Sequence, residues 1–245
     1  MAVIAVCIVV FFFVQPTGRS TFDVVDPRVE QSELEFSLDW AAVPCEVVKG
    51  RPLSVDEVDA TFSGENGSAC GIGDPSTSDH ANKNVWLALL VSVFLHGSIA
   101  HLGGNMLFLW IFGNNLEDHK GRLWFIVLYL VGGLLADFTH IAVDPNSTVP
   151  VVGASGAIAA VMGAYLVLWP NVNIKCVMPW GGLRKVTAKW VLGLFVFSQF
   201  LIMLAPSNVS WGAHLGGFVF GALVGLAWRS SDNKKRTALP APTLV

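Results

Sequence analysis

Long apolar runs separated by short polar breaks dominate this chain of 245 residues. Asp, Glu, Lys and Arg are all absent from residues 85–116, 145–174 and 190–228. Each of these windows is longer than the roughly 20 apolar residues that a helix needs to cross a bilayer. The pattern therefore predicts a polytopic membrane protein.

The runs and their breaks together predict an all-α fold with six transmembrane helices, near residues 2–14, 99–116, 123–143, 153–169, 190–205 and 211–228. The first run has only 13 residues before Gln15, which is short for a full span, so we expect a truncated first helix. The apolar stretch Val85–Leu95 lies ahead of the second span. We interpret it as an interfacial segment, with a longer and tilted second span as the alternative.

Composition agrees with this interpretation and narrows the function classes. Hydrophobic residues make up 53% of the chain and charged residues 13%, about half the charged fraction of an ordinary soluble domain. A soluble enzyme, a nucleic-acid-binding protein and a disordered chain are therefore excluded. The lipid bilayer is the expected surrounding, and no nucleic-acid partner is expected.

The few charges are segregated along the chain. Residues 15–84 hold 13 acidic and 5 basic residues, while the rest of the chain holds 5 acidic and 10 basic residues. The basic residues follow the second, fourth and sixth runs, all on one side of a six-span chain, so the positive-inside tendency predicts cytoplasmic termini and an acidic outer loop. We expect the plasma membrane, that of a bacterial cell, and we expect a functional site within the spans to open to the outside.

The expected organisation has four parts. Residues 1–14 form the first transmembrane helix, and residues 15–98 form the acidic extracytoplasmic loop with its interfacial segment. Residues 99–228 form the remaining five helices, and residues 229–245 form a basic cytoplasmic tail.

Polar side chains inside apolar spans are costly, so each requires a partner or a function. His101 and Asn105 are four residues apart and share one helix face, while Ser155 and His214 lie near the outer ends of their spans. The remaining polar residues in or beside the spans are His96, Asp137, His140 and Gln199.

Small residues offer a way to bring Ser155 and His214 together. The fourth span contains Gly153 and Gly156, and the sixth span has glycines at GxxxG spacing, at Gly217, Gly221 and Gly225. Such stripes let membrane helices approach closely. Ser155 and His214 would then have the geometry of a serine nucleophile with a histidine general base.

Three sequence blocks carry a family resemblance: HGSIAHLGGNMLFLWIFGNNLED, GASG and GAHLGGFVFGALVG. In this order they resemble the signature blocks of rhomboid intramembrane serine proteases. The long first outer loop is similar to that of a bacterial branch of the family. The resemblance implies a six-transmembrane-helix rhomboid-like bundle.

The resemblance also implies roles for individual residues. Ser155 matches the nucleophile and His214 the general base, without a third acidic member. His101 and Asn105, with the backbone N–H of Ser155, match the groups that hold the oxyanion. Supporting or structural roles are implied for His96, Gly153, Gly156, Gly217 and Gly221.

One departure from the family pattern concerns the base. In some rhomboids an aromatic residue one turn after the serine packs against the base histidine, but this position is Ala159 here. Either a neighbouring helix supplies that packing, or His214 is held less tightly.

The outer loop contains Cys45 and Cys70. In an oxidising compartment these residues can close a loop of about 25 residues with a disulfide, and two free thiols are the alternative. We favour the disulfide.

The sequence therefore predicts an intramembrane serine endopeptidase that cleaves transmembrane helices of other membrane proteins through a Ser155–His214 dyad. No metal or organic cofactor is expected. The alternatives are an inactive rhomboid-like protein that binds or escorts membrane helices, and a small proton or metal transporter. The transporter would use His96, His101, Asp137, His140 and His214 as its path.

Overall fold

Helices make up most of the described chain. The computed structural model describes residues 2–16, 27–63, 69–177, 181–204 and 209–238. For residues 27–30 and 233–238 it describes the backbone and not the side chains. The helices are α1 (Ala2–Val9, continued by a π-helical turn Val10–Val14), α2 (Pro27–Trp40), α3 (Pro44–Lys49), α4 (Val55–Phe62), α5 (Val85–Ser92), α6 (Ile99–Phe108, continued by a π-helical turn Leu109–Gly113), α7 (Asn114–Lys120), α8 (Arg122–Val143), α9 (Ser155–Leu168), α10 (Ala188–Met203) and α11 (Trp211–Ala238).

Two of these helices are long and apolar enough to cross a membrane. They are Arg122–Val143 and the part of α11 from Trp211 to Asp232, with mean hydropathies of 1.9 and 1.3. Shorter apolar helices cover Ala2–Val14, Ser155–Leu168 and Ala188–Met203. The mostly helical class is confirmed, whereas the count of six spans stays a prediction.

Polar side chains at the helix starts explain several boundaries. The Asn84 side chain accepts hydrogen bonds from the N–H groups of Trp86 and Leu87 at the start of α5. The Ser98 hydroxyl accepts the N–H of His101 at the start of α6. Such caps satisfy N–H groups that have no partner within a helix. Because α5 ends at Ser92 and α6 starts at Ile99, the stretch interpreted as interfacial is a separate helix.

Helix α9 lies at the centre of the packing. Every residue from Gly156 to Tyr165 is buried, although the segment contains four alanines and two glycines. Glycines of its neighbours permit this: a Cβ at Gly132 of α8 would lie 2.5 Å from the Cβ of Ala160. A Cβ at Gly221 of α11 would overlap the backbone carbonyl of Ala160. Small residues on both sides therefore bring three helices to near backbone contact.

A β-hairpin precedes α10, and the sequence pattern did not predict it. Strands β1 (Asn173–Val177) and β2 (Leu183–Thr187) pair antiparallel, with Asn173 opposite Thr187. Gly181 and Gly182, just before β2, have φ values of +90° and +85°, which favour glycine. The segment was interpreted only as a basic loop between the fourth and fifth spans.

The described part of the acidic loop contains a small folded unit, which we call the insert (residues 27–63 and 69–84). Its core consists of the buried residues Leu38, Val43, Cys45 and Leu53. The Sγ atoms of Cys45 and Cys70 are 2.10 Å apart, so the structure has the disulfide. A unit this small has little apolar surface to bury, and a cross-link offsets that deficit.

A buried carboxylate joins the parts of the insert. Glu57 accepts hydrogen bonds from the Arg51 guanidinium at 2.7 and 2.9 Å and from the backbone N–H groups of Ser54 and Gly71, both at 2.6 Å. Burial alone would raise the pKa of Glu57, but these hydrogen bonds lower it to about 2. The charged form of Glu57 therefore stabilises the insert.

The insert packs on the segment that connects α8 to α9. The N–H of Cys45 donates to the carbonyl of Ser147 at 2.9 Å, and the N–H of Val151 donates to the carbonyl of Ala42 at 2.7 Å. Ala42 and Val151 pair as an antiparallel bridge. This connecting segment leads directly to Ser155, so the insert contacts the chain just ahead of the candidate nucleophile.

We expect Glu57→Gln to lower the unfolding free energy of the insert by about 2 kcal/mol at neutral pH, because hydrogen bonds to a charged acceptor are lost. In the wild type this contribution is complete above pH 4.5, the ordinary range of a glutamate, and is lost as the pH falls towards 2. Limited proteolysis of the insert in the intact protein, across pH, measures both effects. Asp59→Asn on the exposed face of α4 is the matched control. An equal loss of unfolding free energy in both variants would contradict the stabilising role of the Glu57 carboxylate.

Candidate active site

Ser155 is the first residue of α9, so its N–H is not required by the hydrogen-bonding ladder of the helix. Two residues before it, Gly153 has a φ of +136°, a backbone conformation that side chains rarely permit. A Cβ at Gly153 would also lie 2.9 Å from the His101 ring and 3.6 Å from the Ser155 hydroxyl. The glycine therefore lets the His101 ring approach the backbone beside Ser155.

His214 lies in the first turn of α11 and meets Ser155 across the α9–α11 contact. Its Nε2 is 2.8 Å from the Oγ of Ser155. Three residues after His214 in α11, a Cβ at Gly217 would overlap the carbonyl of Gly156 in α9. The structure thus brings together the two residues that the sequence analysis paired, and Gly156, Gly217 and Gly221 are the reason that their helices can approach so closely.

The other face of His214 is held by α10. Nδ1 of His214 is 2.7 Å from Oε1 of Gln199. The Phe195 ring, one turn earlier in α10, has its centroid 5.8 Å from that of His214. The sequence indicates Gln199 only as a polar residue in a span and gives Phe195 no role at the site. Their spacing of four residues places them on one face of a helix, and this is the signal in the sequence that could have paired them.

His101 and Asn105 line the same cavity as Ser155 and His214. Asn105 is buried, and its Nδ2 has no hydrogen-bond partner among the described residues. A buried amide donor without a partner is costly, and such a group is suited to bind an oxygen of a ligand. His101 packs edge-on against His96, with the ring centroids 5.3 Å apart.

His96 is fully buried and is fixed by the end of the first helix. The side chain of Gln15 accepts the backbone N–H of His96 and donates to its carbonyl, both at 3.0 Å. The His96 ring contacts His101 but is absent from the lining of the cavity in the described structure. This arrangement fits a supporting position, and the contribution of Gln15 was not foreseen.

The cavity has a volume of about 630 Å³ and reaches from the segment before α9 to α10. Its lining is mainly apolar, with polar groups concentrated around Ser155. The lining residues are Ala100, His101, Gly104, Asn105, Phe108, Asp137, Pro150, Val151, Val152, Gly153, Ser155, Gly156, Ile158, Met162, Phe195, Val209, Ser210, Ala213 and His214.

Asp137 also faces this cavity, but its hydrogen bond goes elsewhere. Its Oδ2 accepts the Ser92 hydroxyl at 3.2 Å. No hydrogen bond in the described part of the chain joins Asp137 to a histidine. The hydrogen bond of Asp137 therefore links it to Ser92 of α5 and not to Ser155 or His214.

The long apolar helices indicate the class of helical membrane proteins. Within this fold, a serine at the start of one helix meets a histidine from another helix. Residues 83–231, more than half of the chain, match the Rhomboid domain model. The chain therefore belongs to the rhomboid family.

Individual relatives support this assignment. The chain is 29% identical over 170 residues to presenilin-associated rhomboid-like protein A, mitochondrial, of Danio rerio, covering 64% of this chain and 42% of the relative. It is 31% identical over 159 residues to rhomboid-like protein 11, chloroplastic, of Arabidopsis thaliana, covering 60% and 53%. It is 31% identical over 157 residues to rhomboid protein 1, mitochondrial, of Saccharomyces cerevisiae, covering 61% and 44%. The chain thus spans about two fifths to one half of the length of these relatives.

These relatives correct the predicted location. The sequence analysis placed the protein in a bacterial plasma membrane, but the matched relatives are named as mitochondrial or chloroplastic and point to an organellar membrane. The prediction was wrong because charge asymmetry reports which side of a membrane a loop lies on, and carries no information on which membrane it is.

We expect Gly221→Ala to destabilise the α9–α11 contact by about 1–3 kcal/mol, because the added methyl group overlaps the Ala160 carbonyl and forces the helices apart. Unfolding of the detergent-solubilised protein by heat or denaturant measures the loss. Gly193→Ala in α10 is the matched control, since a Cβ there meets nothing within 4 Å. Unchanged stability of Gly221→Ala would contradict the close packing.

Proposed function

We propose that this protein is an intramembrane serine endopeptidase that hydrolyses peptide bonds in or near the transmembrane segments of other membrane proteins. The single observation that carries the proposal is the 2.8 Å approach of His214 Nε2 to Ser155 Oγ. Hydrogen-bond contact between a hydroxyl and an imidazole is the arrangement that activates serine as a nucleophile.

The reaction proceeds through an acyl-enzyme. Ser155 Oγ attacks the scissile carbonyl carbon while His214 Nε2 accepts the hydroxyl proton. The imidazolium then donates that proton to the leaving amine as the C–N bond breaks. A water molecule, deprotonated by His214, attacks the ester carbonyl and releases the new carboxyl end, with Ser155 regenerated.

The developing oxyanion would be stabilised by donors around Ser155. The unpartnered Nδ2 of Asn105, the ring of His101 and the N–H of Ser155 are the candidates. Ser155 also lies at the positive end of the α9 dipole, which favours negative charge there. In a site with little water, each such donor contributes several kcal/mol to catalysis.

The substrate class follows from the surroundings of the site. The outer face of α10 exposes large apolar side chains, including Trp190, Leu194 and Phe197, as a lipid-facing helix does. A helical substrate keeps its carbonyl groups within its own hydrogen bonds, so the cleaved segment has to unwind. We therefore expect glycine or proline near the cleaved bond.

The organisation and location of the protein belong to the same proposal. We infer six membrane-spanning helices, with the insert and Ser155 on one side and the basic β-hairpin on the other. By analogy with the mitochondrial and chloroplastic relatives, the membrane would be an organellar inner membrane. No resident metal or organic cofactor is required for the proposed steps.

The test uses purified protein in liposomes with a fluorophosphonate probe and a model transmembrane substrate. We expect wild type to be labelled and to cleave, and Ser155→Ala to lose labelling entirely. His214→Ala should lower turnover by roughly 10³-fold or more, since the two residues act as a unit.

Matched controls are Ser230→Ala on the exposed face of α11 and His119→Ala, whose ring packs on Trp169 far from the cavity. A folded wild-type protein that neither reacts nor cleaves would leave the inactive binding role as the function. Substrate cleavage that survives Ser155→Ala would mean that the nucleophile is a different residue.

A further inference from the structure

We propose that Gln199 is a positioning residue that fixes the orientation and the tautomer of His214, in the place where serine hydrolases with a full triad have a carboxylate. This inference rests on the proposed Ser155–His214 chemistry and extends it to α10. It is carried by the 2.7 Å contact between Gln199 Oε1 and His214 Nδ1.

The hydrogen bonds of Gln199 determine which end of its amide faces the histidine. Nε2 of Gln199 donates to the carbonyl of Phe195 at 3.1 Å and to the hydroxyl of Ser198 at 3.0 Å. The Ser198 hydroxyl donates its own proton to the Phe195 carbonyl at 2.7 Å, so its oxygen is free to accept. Both partners of Nε2 are thus acceptors, and the opposite end, the carbonyl Oε1, points at His214.

This orientation selects one form of the imidazole. A carbonyl oxygen only accepts hydrogen bonds, so the neutral His214 ring must carry its proton on Nδ1. Nε2 then bears the lone pair, and it is Nε2 that lies 2.8 Å from Ser155 Oγ. The opposite tautomer would place an N–H against the serine and could not accept its proton.

Phe195 restricts the remaining freedom of the ring. It lies one turn before Gln199 on the same face of α10, with an interplanar angle of 47° to the imidazole. Some rhomboids obtain this packing from an aromatic residue one turn after the serine; here that residue is Ala159, which is too small, and Phe195 of α10 provides the packing. Gln199 and Phe195 together hold the ring by one hydrogen bond and one ring contact.

A purely structural reading of Gln199 makes a different prediction. Gln199 is 3% exposed, and a buried amide needs partners whether or not it has a role in catalysis. In that case a variant that folds would keep the His214 tautomer and the turnover number. The positioning role and the purely structural role are therefore distinguished by the tautomer of the His214 ring and by kcat, and not by stability alone.

The first test compares kcat and KM of wild type with Gln199→Met, which keeps the length of the side chain without the carbonyl. We expect kcat to fall by roughly 10- to 100-fold with KM within about 2-fold, because base orientation acts on the chemical step. Phe200→Met, at the adjacent exposed position, is the matched control and should keep wild-type kcat.

Gln199→Glu serves as the conservative variant, since a carboxylate oxygen also accepts a hydrogen bond from the Nδ1–H of His214. Its second oxygen replaces Nε2 and cannot donate to the Phe195 carbonyl. We therefore expect it to restore part of the kcat lost in Gln199→Met and to move the acid limb of the kcat/KM profile to higher pH, because negative charge favours the imidazolium. The other titratable groups near His214 in the described structure are His101 on α6, which interacts with it electrostatically, and Asp137 and His140 on α8, of which Asp137 lines the same cavity and His140 interacts electrostatically; all three are unchanged in these variants.

A measurement independent of turnover is the ¹⁵N signal of the His214 ring, assigned by its absence in His214→Ala. We expect Nδ1 to be protonated in wild type and the tautomers to be mixed in Gln199→Met. A folded Gln199→Met protein with wild-type kcat and an unchanged ring signal would overturn the positioning role alone. A wild-type protein without Ser155-dependent turnover would overturn the proposed function, and the catalytic role of Gln199 with it.

Discussion

The close approach of α9 and α11 is the constraint on which the site depends. Ser155 and His214 each lie in the first turn of their helix, so their separation is set by how near the two helix axes come. Glycines facing backbone carbonyls permit that approach, and a single methyl group would prevent it. Because lipid offers no hydrophobic driving force for helix association, packing of this kind is a main source of specificity inside a bilayer. The same contacts that hold α9 against α11 therefore also place the Ser155 hydroxyl beside the His214 ring.

Among the described residues no carboxylate hydrogen-bonds to His214, and this has a physical rationale. A carboxylate beside His214 would have to be buried, and burying an ion costs several kcal/mol unless it is fully paired. A neutral amide supplies the same acceptor geometry at Nδ1 without that cost, although it stabilises the imidazolium less. Gln199 and Phe195 both belong to α10, so any movement of α10 alters the hydrogen bond and the ring contact together. The orientation of the His214 ring therefore depends on the position of α10.

Sequence reasoning reached the features that depend on spacing and pattern. His101 and Asn105 on one helix face, and the glycine stripe around Gly217, follow from helical periodicity alone. The partners of His214 on α10 could not be predicted, since the rotation of one helix against another is set by packing that a single sequence does not reveal. The β-hairpin was missed because its basic residues identified a loop between spans without indicating its local structure. The bridge from Gln15 to His96 joins residues distant in the chain and has no local signal.

The insert illustrates how a region outside the apolar core can act on the site. The segment between α8 and α9 has no regular secondary structure of its own beyond one bridge, and its last residues lead to Ser155. The insert contacts it through the carbonyl of Ser147 and the N–H of Val151, one on each side of Pro150. Such contacts reduce the conformations open to a connecting segment, and the disulfide and Glu57 in turn hold the contacting residues in place. The described part of the insert therefore restrains the segment that leads to the start of α9, where the Ser155 hydroxyl meets His214.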